Sequence, residues 1–146
     1  RLMGKSDTIR LLRECDAGAK MGAAAINDVI DRVCSPALRD ALTECRNAHE
    51  ALGAQVRTLL RKNRTRCKDP SAFARSMACA KTKIRLTLRP GDKTIADLMS
   101  DGCSMGIKTL CRCQNKYKTA DEASSDLAQH LIALEETLEQ KLRAYL

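Results

Sequence analysis

Aromatic side chains are almost missing from this chain: 146 residues carry no Trp, one Phe and two Tyr. A core must then be assembled from Ala, Leu, Ile, Met and Cys, and little is available to stack on nucleic-acid bases. Three prolines and seven glycines, with no run alternating at period two over a strand's length, suit helices. No stretch approaches the ~20 apolar residues of a membrane span, and none reads as a secretory leader. No catalytic signature is present, so neither enzymatic activity nor a cofactor is expected. No Cys-x-x-Cys occurs. Cys111 and Cys113 fall about 200° apart on a helix, too far round to share one zinc ion.

What is abundant is cysteine, at positions 15, 34, 45, 67, 79, 103, 111 and 113. A secreted disulfide scaffold is shorter and places its cysteines in turns. Most of these fall inside amphipathic helices, where free Cys behaves as a small hydrophobe. The expectation is a reducing, cytoplasmic setting and one domain over 1–146, a length that can bury a sizeable core.

Apolar spacing predicts four long helices. Helix A covers about 8–33, capped by Ser6 or Asp7, with Leu12, Cys15, Ala19, Gly22, Ile26, Val29 and Val33 as its stripe. Ser35-Pro36 is an N-cap followed by proline at the first helical position, and helix B covers about 36–63. Its stripe is Leu38, Leu42, Cys45, His49, Leu52, Val56 and Leu60. After the Pro90-Gly91 break, helix C covers about 94–117, capped by Asp92 or Thr94, and helix D about 120–146. Thr119 and Glu122 suggest a capping box for helix D. The stripe of C is Ile95, Leu98, Met99, Gly102, Gly106, Leu110, Cys113 and Tyr117; that of D is Leu127, Leu131, Leu134, Leu138, Leu142 and Tyr145. A crossover helix over about 71–89, with Phe73, Met77, Ala80, Ile84 and Leu88 on one face, is expected to cover the bundle and carry the chain along it.

Gly18-Ala19-Lys20-Met21-Gly22 reappears as Gly102-Cys103-Ser104-Met105-Gly106, and the flanking apolar positions match. Glycine inside a helix costs about 1 kcal/mol against alanine. The four glycines are therefore expected to serve close packing where helices A and C approach. Two duplicated antiparallel hairpins joined by a long crossover resemble the ferritin-like superfamily, as an all-α four-helix bundle with a fifth helix. That resemblance rests on topology and repeat, and implies a carboxylate on helices A and C and Glu-x-x-His on B and D. The motifs are missing: Arg46 stands three before His49, and Leu127 three before His130. The stripes carry no carboxylate, with Glu135 at an edge. A dry apolar centre is expected, with His49 as a buried neutral imidazole. The residues left as metal candidates are His49 with Cys45 on the same face, and His130.

The net charge of +8 is concentrated. Between Arg57 and Lys93 stand twelve basic residues against Asp69 and Asp92, so the rest of the chain is slightly acidic. Such a cluster attracts polyanions. Candidate anion-binding residues are Arg57, Arg61, Lys62, Arg64, Arg66, Lys68, Lys81 and Arg85. Cys67, between Arg66 and Lys68, is the candidate reactive thiol. Three expectations follow: a non-enzymatic interaction or stress-related bundle, self-associating or not; a metal- or redox-linked relative using Cys and His; and a binder of nucleic acid, acidic lipid or acidic protein through 57–93.

Overall fold

The computed structural model describes residues 2–146, apart from the side chains of Leu2, Met3 and Phe73. Those residues form helices and no strand: α1 (Leu2–Val29), α2 (Pro36–Lys62), α3 (Ala72–Leu88), α4 (Asp92–Lys116) and α5 (Glu122–Leu142), with short 3-10 turns at Ile30–Arg32 and Arg143–Tyr145. In a bundle, α1 packs on α2 and α4, and α5 packs on α2 and α4, while α3 lies outside against α1 and α4.

The turns fix the directions. Asp92, at the start of α4, accepts hydrogen bonds from the backbone N–H groups of Cys34 and Ser35, both at 2.8 Å, just past α1. At the other end, Thr8 near the start of α1 accepts from the N–H of Asp121 at 2.8 Å. Asp7 beside it accepts from the N–H and hydroxyl of Thr119 at 3.1 and 2.6 Å. Hence α4 runs antiparallel to α1. Each hairpin's first helix holds the turn of the other hairpin. Ser35 and Asp121, which donate these N–H groups, are themselves the N-caps of α2 and α5, accepting from Leu38 and Ser124.

Several helix ends differ from the sequence reading. α1 begins at Leu2, so Ser6 and Asp7 lie inside it, and Asp7 is spent on the distant turn. Asp121 caps α5; Thr119 remains in the turn, held by Asp7. Gly91 precedes α4 at φ +122, a conformation that disfavours any side chain. Asp92 is therefore the first helical residue, its carboxylate turned back to the other hairpin.

Two apolar clusters fill the bundle. One joins Ile26, Val29, Leu38, Leu42, Ile95, Met99 and Leu142; the other joins Leu11, Leu12, Cys15, Val56, Leu60, Leu110, Leu127 and Leu131. Between them the helices carry Gly22, His49, Gly106 and Glu135.

The crossover helix is turned the opposite way from the expectation. Met77 is 57%, Ile84 59% and Leu88 76% exposed, and Ala80 is exposed with them. The place given to Phe73 on that stripe lies outside the described residues. Leu86, on the opposite side, is the buried residue of α3. Ion pairs explain the rotation: Arg75 reaches Asp28 on α1 at 3.5 Å, and Arg85 reaches Asp97 and, at 3.8 Å, Asp101 on α4. Arg75 lies about 20° round the helix from Leu86, and Arg85 lies between Leu86 and the apolar stripe. Pairing them with acids on α1 and α4 turns the Leu86 side inward and leaves the stripe in water.

Candidate functional site

The centre of the bundle is not purely apolar. His49, expected on the stripe of α2, is 2% exposed. Its Nδ1 lies 2.8 Å from the carbonyl oxygen of Cys45. A carbonyl only accepts, so Nδ1 carries a proton. Nε2 is hydrogen-bonded to Oε1 of Glu135 on α5. Burial alone would lower the imidazole's pKa. The side chains of Cys45 and Glu135, through hydrogen bonds and charge, outweigh burial and raise it from 6.5 to about 10. The expected neutral imidazole is therefore an imidazolium, and the stripe without carboxylates contains one. Glu135, at the stripe's edge, has a side chain long enough to reach inward.

One glycine serves this pair. A Cβ on Gly22 would overlap the His49 ring, whereas one on Gly106 would make ordinary contact with the Glu135 carboxylate at 3.4 Å. The close approach is thus of the α1 backbone at Gly22 to a polar side chain on α2, not of α1 to α4. Gly18 and Gly102 would meet nothing within 4 Å. Four residues bring a helix round by about 40° beyond a full turn, enough to carry them out of the interface. Cys45 Sγ stands 3.4 Å from Nδ1, and Cys103 completes the cluster beside Glu135. Burial, then Glu135, pushes the Cys103 thiol up.

This donor set does not fit a di-metal centre. The sulfur of Cys45 faces one imidazole nitrogen and Glu135 the other, so the groups do not converge on one point. Among the described residues no three of His, Cys, Asp and Glu are grouped to hold a metal ion. His130 is exposed. All eight cysteines are free, with Cys34 and Cys67 exposed.

The basic segment divides into two populations. Arg57 bonds Asp16 at 3.3 Å, Lys68 pairs with Glu14, and Arg85 pairs on α4. These three candidate anion-binding residues are spent on acids of α1 and α4: Arg57 ties α2 to α1, while Lys68 and Arg85 attach the crossover. Asp16, fully buried and not singled out by the sequence pattern, also accepts from Lys20 Nζ at 3.1 Å and the Lys68 N–H at 2.9 Å. Arg61, Lys62, Arg64, Arg66 and Lys81 are exposed. So are Lys83 and Arg89, which belong with them. None of these seven forms an ion pair among the described residues.

No described helix is long and apolar enough to cross a membrane. No protein-family model matches the chain, and no curated protein matches it in sequence. The chain is similar in fold to the crystal structure of a DUF305 fragment from Deinococcus radiodurans, with a TM-score of 0.73 over 94% of this chain and 93% of that one, at 10% identity.

Proposed function

We propose that this chain is a ferritin-like, internally duplicated bundle without a di-metal centre, acting through its surface as an anion-binding module of the crossover. The duplication is supported by matched roles. Thr8 and Asp92, 84 positions apart, each accept from the N-cap residue of the opposite hairpin. His49 and Glu135, 86 apart, stand at the same distance from the starts of α2 and α5. Where a metal-binding bundle needs several converging ligands, this one has a single ion pair with its nitrogens already engaged. That turns attention to the outside.

The observation that carries the reading is the exposed set of unpaired cations, Arg61, Lys62, Arg64, Arg66, Lys81, Lys83 and Arg89, on a segment where Arg57, Lys68, Arg75 and Arg85 are consumed in ion pairs. Solvated like charges on one segment repel and favour a polyanionic partner. Retention on immobilised heparin at low salt, falling steeply as salt rises, is the expected result. Replacing Arg61, Lys62, Arg64 and Arg66 by Glu should abolish it. Free passage of the native chain at low salt would refute the reading.

A further inference from the structure

The exposed cations alone do not say which anionic partner is met; the rotation of α3 adds that. Met77, Ile84 and Leu88 lie within about 20° of one line along the helix, with Ala80 at its border. They face water at 57, 59 and 76% exposure. Apolar residues so placed cost free energy until something covers them. Lys81 stands beside the line, Lys83 lies about 120° round the helix from it, and Arg89 follows Leu88 directly as the C-cap of the helix; all three are exposed. α3 contains no carboxylate at all. The stripe lies on the outer side of a helix attached to the bundle by its opposite side.

We propose that α3 is a membrane-surface helix, laying Met77, Ile84 and Leu88 into the headgroup boundary of an anionic bilayer while Lys81, Lys83 and Arg89 meet lipid phosphates. The proposal deepens the anion-binding reading and rests on it. A nucleic acid would use the cations but leave the apolar stripe in water. A second copy of the same face would bring cation against cation with no acid on α3 to offset it. A bilayer boundary takes both halves, since it offers a flat apolar layer beneath a negative one, and long lysine stems bury their methylenes while the charge stays outside. The 17 residues of α3 give a helix about 25 Å long, enough to lie flat on a surface.

Because the chain has no Trp, Ile84→Trp places a single reporter on the stripe, at an exposed position that leaves the core untouched. Vesicles of phosphatidylcholine with phosphatidylglycerol should shift its emission to the blue and shield it from acrylamide; phosphatidylcholine alone should not. Met77→Asp with Leu88→Asp should lower the vesicle partition by about tenfold or more while heparin retention stays unchanged. Heparin retention with a water-exposed reporter on anionic vesicles overturns the membrane proposal and leaves the anion-binding reading standing. A blue shift on DNA in place of vesicles overturns it in favour of nucleic acid. A blue shift that grows with protein concentration without lipid overturns it in favour of a second copy. Neither vesicle binding nor heparin retention overturns both readings together.

Discussion

Gly22 is the most tightly constrained of the glycines, because the place of its missing side chain is occupied by the His49 ring. Gly22→Ala forces that ring away from Glu135, and overpacking of this kind costs about 1–3 kcal/mol. Gly18 and Gly102 have open space at the same point. There, alanine gains helix propensity of about 1 kcal/mol. Chemical unfolding should therefore place Gly22→Ala below the native chain and Gly18→Ala and Gly102→Ala at or above it. Equal midpoints for all three would remove the role assigned to the imidazole. The sequence made the glycine echo and the burial of His49 visible, since both follow from helical spacing. It did not reveal that Gly22, of the four, was the one that mattered. Nor did it reveal Glu135, because spacing places a Cα on a face and says nothing of how far a flexible side chain reaches round an edge.

For the elements, the crossover was legible as a helix, within a residue or so at each end of Ala72–Leu88, but its orientation was not. An apolar stripe announces which face is greasy; whether that face is buried depends here on where Arg75 and Arg85 find acids. Attachment of the preceding loop is likewise polar, centred on the buried Asp16 carboxylate and the Lys68 N–H. Asp16→Ala leaves Lys20 and Arg57 without that acceptor. It should cost less than the roughly 3–5 kcal/mol seen when a fully buried pair is broken, since both cations are partly solvated. The sharper readout is local. Trypsin should cut faster after Arg64, Arg66 or Lys68 while the helical circular-dichroism signal is retained. Unchanged cleavage would mean that the loop is held by something else.

Over the whole molecule, buried ionisable groups give stability a definite dependence on pH. The His49 pKa is raised to about 10, so its stabilisation is complete below about 6.5 and is lost as pH climbs through 10, by up to about 1.4 kcal/mol per unit. Burial pushes the Cys15 thiol up to about 12 and that of Cys103 up as well. Both act with the same sign above pH 9, since the unfolded thiols ionise first. General charge repulsion runs the other way, because the +8 chain approaches neutrality near its pI of 9.2. A falling urea midpoint from pH 7 to 10 would report the buried groups, and Glu135→Gln should flatten it. A native profile that is flat or rising over this range would contradict the imidazolium assignment. The all-helical architecture was legible because every long segment keeps one apolar period. The polar layer between the two apolar clusters was not, being made by side chains from different hairpins. That layer has one more consequence, for alignment. Helices that meet through aliphatic side chains can slip past one another by a turn of about 5.4 Å and still find hydrocarbon opposite hydrocarbon. If α5 slipped so, Leu131, Ile132 or Leu138 would come opposite the imidazole, stranding its charge in grease. The ion pair is an index mark on an otherwise unmarked scale, at which the two halves of the bundle read zero.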